Sequence, residues 1–194
     1  MASGETPMDP MSLPPDLPAP EDDGAASHLP GTRLPGIALP ATTGGAIDPS
    51  SVTGWAVVFA YPLTGRPGGE LPGGEAGWNA IPGARGCTPE LCGVRDRLGP
   101  LEARGATVFG LSTQTTDHQR EVAERLGLGY PLLSDSELRL TDALRLPTFE
   151  VEGLTLLKRI TLLVRDGQIA TVAYPVFPPD GAAAQALELL AAQG

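Results

Sequence analysis

Both cysteines of this chain lie in the stretch ARGCTPELCGVRD, residues 84–96, at Cys87 and Cys92. Two thiols five positions apart can do redox chemistry or contribute to a metal site. A zinc site takes about four ligands. The two histidines, His28 and His118, fall in a Pro-rich segment and on a helix surface, so no metal is expected. In a reducing compartment a close thiol pair points to redox chemistry instead. Thr88 fits the N-cap of a helix whose first turn tolerates Pro89, because the N–H groups there have no intrahelical partner. Cys87 then falls at or just before a helix N-terminus, where free N–H groups and the helix dipole favour a thiolate, the nucleophilic form. Arg85 and Arg95 are near in sequence and add positive charge.

Cys92 falls about a turn further in, among Leu91 and Val94, and reads as packed like a small apolar residue. On one intact helix the two Cα atoms stand about 8.7 Å apart, with side chains pointing about 140° apart. A disulfide needs Cα atoms within about 7 Å. A bridge therefore requires the start of the helix to unwind. Ordinary buried cysteine is the competing reading, stronger for Cys92 than for Cys87.

The elements that must position these thiols follow from apolar runs and turns. WAVVFAY (55–61) and ATVFGLS (106–112) read as buried strands. Between the first strand and the cysteines lies a long Gly/Pro-rich loop, and loops longer than about 15 residues are usually functional or mobile. Residues 90–104 carry Leu91, Val94, Leu98 and Leu101 at helical spacing, with a break or kink expected near Pro100. TDHQREVAERLGL reads as a helix capped by Thr116 or Asp117, YPLLSD as a short edge-like strand, and SELRLTDALRL as a helix capped by Ser134 or Ser136. RITLLVRDGQIATVAYPV is a hairpin turning at Asp166-Gly167. An Ala/Leu-rich helix closes the chain. This order describes an α/β fold of the thioredoxin type, a central mixed β-sheet flanked by helices.

The 194 residues suit one domain with a hydrophobic core. Residues 1–31 are rich in Pro, Asp, Glu, Ser and Gly and contain no Lys or Arg. They read as a disordered or loosely docked arm, dispensable for turnover, ahead of a domain over 32–194. A net charge of −10 argues against nucleic acid and anionic membrane as partners. No apolar run approaches the roughly 18 residues of a membrane span, and no secretory signal is visible, so a cytoplasmic protein is expected.

FAYP followed by GCTPELCGVRDRL resembles the active-site region of peroxiredoxins, the Q-type or bacterioferritin-comigratory-protein group above all. YPLLSD and KRITLLVRDGQI resemble further segments of the same family, so that the likeness runs through about residues 36–190 in order. The resemblance implies a thiol peroxidase without a cofactor, a monomer or weak dimer, with a peroxide as substrate and a thioredoxin-like dithiol as reductant. Cys87 would attack the peroxide, and Cys92 would condense with the resulting sulfenic acid. Arg159 would hold the thiolate, its competing reading being a solvated strand arginine like Arg165. Pro62 would shield the pocket from water. The family carries Thr or Ser three residues before its first cysteine, where this chain has Ala84. Thr64 would supply the missing hydroxyl, or is a turn residue before Gly65. Trp78 on the long loop would line the pocket entrance or serve as an exposed anchor. A non-enzymatic thiol redox sensor remains open beside the peroxidase.

Overall fold

The structure, a computed structural model, describes residues 11–194. Its elements are β1 (Leu39–Pro40), β2 (Ala46–Ile47), β3 (Trp55–Ala60), α1 (Gly74–Ala80), α2 (Cys87–Asp96), α3 (Leu98–Ala103), β4 (Ala106–Ser112) and α4 (Thr116–Leu126). There follow β5 (Leu132–Ser134), α5 (Arg139–Leu144), β6 (Thr148–Val151), β7 (Leu154–Leu157), β8 (Ile160–Arg165), β9 (Gln168–Ala173) and α6 (Ala182–Ala192). A mixed sheet in the order β5-β4-β3-β8-β9 forms the centre, with β3, β4 and β5 parallel and β8 and β9 antiparallel.

Strand β3 shows why the sheet sits between two layers. Its side chains alternate across the pleat. Ala56, Val58 and Ala60 join one buried cluster with Leu140 and Leu144 of α5, and Val57, Phe59 and Tyr61 join another with Leu91, Leu101, Val122 and Ala186 of α2, α3, α4 and α6. A run apolar at every position is what a strand covered on both faces requires. The β8–β9 hairpin turns through Asp166 (φ 49°) and Gly167 (φ 75°), the two left-handed residues of a type I′ turn.

Several elements depart from the sequence reading. The helix expected over 90–104 is two, α2 and α3, because the Pro100 ring crowds the carbonyl four residues back, that of Asp96, where α2 ends. Thr115, not Thr116 or Asp117, caps α4 by accepting from the His118 N–H. Ser134 belongs to β5, and α5 starts only at Arg139, its Leu140 and Thr141 N–H groups donating to Asp135. The Gly/Pro-rich loop contains α1, and the β6–β7 hairpin was not expected. These two additions share a third cluster, in which Trp78 packs on Phe149 at a centroid distance of 6.2 Å.

The arm, expected to be disordered or loosely docked, differs most. Its first ten residues lie outside those described, but residues 11–31 are docked. Leu29 is fully buried and Ala26 nearly so, both in the cluster beneath α5. His28 Nε2 donates to the Leu144 carbonyl at 2.8 Å, and Asp23 accepts from Lys158 Nζ at 2.6 Å and from the Tyr174 hydroxyl at 2.7 Å. The arm orders because Ala26 and Leu29 reach a core that composition averaged over 31 residues conceals. The folded unit therefore starts before residue 32.

Candidate functional site

Pro62 is buried where the chain leaves β3, and the segment from Leu63 to Gly86 then delivers it to α2. That helix begins two residues earlier than expected. Gly86 occupies the N-cap at φ 108° with no side-chain cap, so Thr88 lies inside the helix and Cys87 is its first residue. Only glycine suits this position. A Cβ on Gly86 would overlap the Pro179 ring and stand 3.1 Å from Leu13 Cδ2, besides being held at a strained φ.

Cys87 is 3 % exposed. Its sulfur lies 3.7 Å from the Ala84 carbonyl and accepts from Arg159 Nη2 at 3.4 Å. Arg159 directly precedes β8, whose first residue Ile160 pairs with Ala60 of β3, so strand register carries the guanidinium to the sheet end where α2 begins. Its Nη2 also reaches the carbonyls of Gly83, Ala84 and Arg85 at 3.2 to 3.4 Å. Nη1 is paired with Glu90 Oε2, and both side chains are essentially excluded from solvent. One planar fork thus ties the sulfur, the turn before it and the first turn of α2 together. Negative charge developing on Cys87 faces a fixed guanidinium and the free amides of a helix start.

Glu90 stands in the GCTPE stretch but drew no attention from the sequence, where it reads as an ordinary acidic residue at a helix start. Arg95, expected to add charge near Cys87, sits in the last turn of α2, bonded to Asp96 and to the Leu126 carbonyl. Arg85 does remain near, lying 3.6 Å from Glu75.

Cys92 shares α2 with Cys87, is 3 % exposed and unbridged, and burial pushes its thiol upward from the ordinary value. The helix is continuous between the two cysteines, so the geometric bar to a disulfide applies.

Thr64 is a correction. It is buried, but its hydroxyl donates to Gln114 Oε1 at 3.0 Å, while its carbonyl accepts from His118 Nε2 at 2.8 Å and Gln114 Nε2 at 3.1 Å. Gln114 follows β4 and His118 opens α4, so the two elements grip Thr64 from one side. Its hydroxyl hydrogen is committed there and not to Cys87. No spacing in the sequence marks Gln114 or His118 for this role.

Beside Cys87 opens a cavity of about 610 Å³ walled by Leu63, Leu71, Trp78, Arg85 and Arg125. Trp78, at 2 % exposure, lines it and is no exposed anchor. Among the described residues no group of three or more His, Cys, Asp or Glu is placed to hold a metal.

Comparison with known proteins bears on the site. The model of the AhpC/TSA family matches residues 79–172. A relative from Mycobacterium tuberculosis named as a peroxiredoxin is 28 % identical over 115 residues, 59 % of this chain and 62 % of the relative. Peroxiredoxin bcp1 of Schizosaccharomyces pombe is 31 % identical over 107 residues, 54 % of this chain and 46 % of that protein. The chain thus spans less than two thirds of the length of these curated relatives. Among solved structures, peroxidoxin BcpB from Mycobacterium tuberculosis superposes with a TM-score of 0.68 at 27 % identity, covering 85 % of this chain and 98 % of that one. Peroxiredoxin Q of Xanthomonas campestris, at 22 % identity and a TM-score of 0.64 over 85 % of this chain and 95 % of its own, establishes the thioredoxin-like fold.

Proposed function

We propose that this chain, whose residues 79–172 match the model of the AhpC/TSA family, is a thiol-dependent peroxidase for hydrogen peroxide and organic hydroperoxides. The Cys87 thiolate attacks the peroxide oxygen, taking that oxygen as a sulfenic acid while the leaving group departs as water or alcohol. Cys92 then displaces water from the sulfenic acid to form an intramolecular disulfide. A thioredoxin-like dithiol reduces that bond and is itself oxidised. The observation that carries this reading is the 3.4 Å contact from Arg159 Nη2 to Cys87 Sγ at the head of a helix. Arg159 holds the sulfur and polarises the peroxide, and Pro62 keeps water from the sulfur. A reducing compartment, the cytoplasm, suits two free thiols this close. A monomer or weak dimer fits the described surface, whose exposed large apolar residues are Met11, Leu154 and Phe177.

Stopped-flow mixing with hydrogen peroxide tests the proposal. Cys87→Ser abolishes peroxide consumption, whereas Cys92→Ser retains one turnover and forms no internal bridge. Sustained consumption by the Cys87→Ser protein would refute the assignment. A redox sensor is the second reading, favoured by Ala84 and by the commitment of the Thr64 hydroxyl to Gln114. It predicts one slow stoichiometric oxidation that a dithiol donor does not turn into steady consumption.

A further inference from the structure

Three features meet in front of α2. The bridge between Cys87 and Cys92 demands that the first turn of that helix melt. The turn is entered through the Gly83–Gly86 segment, whose Gly83, Ala84 and Arg85 carbonyls accept from Arg159. Gly83 is covered from outside by the arm, and Gly86 by the arm together with Pro179. A Cβ on Gly83 would stand 3.3 Å from Pro20 Cγ, and one on Gly86 would stand 3.1 Å from Leu13 Cδ2. The arm is not loosely laid there. It is fastened just downstream by Asp23 to Lys158 and Tyr174, and further on by buried Ala26 and Leu29. Lys158 is the neighbour of Arg159, so the fastening and the guanidinium stand on one stretch of backbone.

We infer that Leu13 and Pro20 are positioning residues that strap the Gly83–Gly86 segment down and thereby set how fast Cys87 reaches Cys92. Their influence falls on a partition. Once Cys87 carries a sulfenic acid, Cys92 attacks it with loss of water to give the disulfide. In competition, a second peroxide transfers an oxygen to the sulfenate, giving a sulfinic acid and releasing water or alcohol. A tighter strap slows the first branch and leaves the second unchanged, so it raises the sulfinic share. The inference rests on the peroxidase reading for this chemistry. Its structural half, the restraint on α2, does not.

The test is the full-length chain carrying Leu13→Ser and Pro20→Ser together. Both side chains are only half-buried, so losing their apolar contacts together is worth about fivefold in the opening equilibrium. Hydrogen exchange in the reduced protein without peroxide should quicken by about that factor at residues 84–92. Mass spectrometry after graded hydrogen peroxide should show the ratio of sulfinic acid to disulfide falling by a similar factor. Leu13→Met with Pro20 intact should keep both at the wild-type value. Unaltered exchange and an unaltered ratio overturn the inference, as does a general loss of thermal stability with exchange raised throughout the chain. Faster exchange at 84–92 in a protein whose Cys87 ignores peroxide would uphold the restraint and sink the peroxidase reading instead.

Discussion

Arg159 touches Cys87 and Glu90 with the two terminal nitrogens of a single guanidinium, Nη2 on the sulfur at 3.4 Å and Nη1 on the carboxylate. The two contacts have different consequences and can be separated. Arg159→Lys keeps the charge but not the fork. Peroxide consumption should fall by about 10² to 10³, the usual cost of removing one fixed donor from developing negative charge. Glu90→Gln leaves a buried guanidinium without its counter-charge and should cost about 3–5 kcal/mol in urea unfolding. Wild-type rates in Arg159→Lys would take Arg159 out of the site.

Thr64→Val asks whether the threonine hydroxyl takes part in the chemistry. In the structure it serves Gln114, and the Gln114 oxygen keeps the Thr64 N–H as a second donor. Stability should drop by about 1 kcal/mol and the peroxide rate should stay within about threefold of wild type. A hundredfold slower reaction with unchanged stability would show that the hydroxyl reaches the substrate after all.

Leu29 measures how far the folded unit extends toward the N-terminus. Leu29→Ala opens a cavity in the cluster beneath α5 and should lower unfolding free energy by about 3–5 kcal/mol. This burial bears against the expectation that the arm is dispensable, and a truncation tests it. A truncation through residue 31 should give an unstable protein, and an intact Tm in that truncation would contradict the burial of Leu29.

Asp23 sets the pH range over which the arm stays fastened. The Lys158 ammonium, then the Tyr174 hydroxyl and the Ala25 N–H, hold its carboxyl well below the ordinary value of 3.8. A depressed carboxyl contributes its full share above that ordinary value and loses it as pH falls further. Burial, and then the Asp23 hydrogen bond, raise the Tyr174 hydroxyl above its ordinary 10.0, so its share is complete below that value and lost as pH rises beyond it. NMR shifts of the Lys158 and Tyr174 amides should stay flat from about pH 4 to about pH 10. They should move below that range, and Asp23→Asn should remove the acid step. A transition near pH 6 would assign the fastening to another group.

Strands β3, β4, β8 and β9 were readable because unbroken apolar runs and an Asp-Gly turn are local signals. The same turn chemistry recurs at Glu152 (φ 48°) and Gly153 (φ 76°), but β6 and β7 around it are only partly buried, so their pattern is blurred. Helix α1 was hidden by its glycines. What orders it is the burial of Trp78 against a hairpin some seventy residues later in the chain. In the site, the types and spacing of Cys87 and Cys92 drew attention on their own, whereas Arg159 stood out only through the family resemblance. The pairing of Glu90 with Arg159 spans 69 residues and that of Thr64 with Gln114 spans 50, distances over which sequence carries no register.

Part of the wall of the cavity beside Cys87 is built by α1, and Trp78 of α1 packs with Phe149 and Leu156 of the β6–β7 hairpin. The 63–86 segment and the hairpin are therefore one structural unit in two pieces of the chain. Moving residues 63–86 alone onto another scaffold would leave the Trp78 indole stranded in water, whereas carrying residues 148–157 along would keep its partners with it.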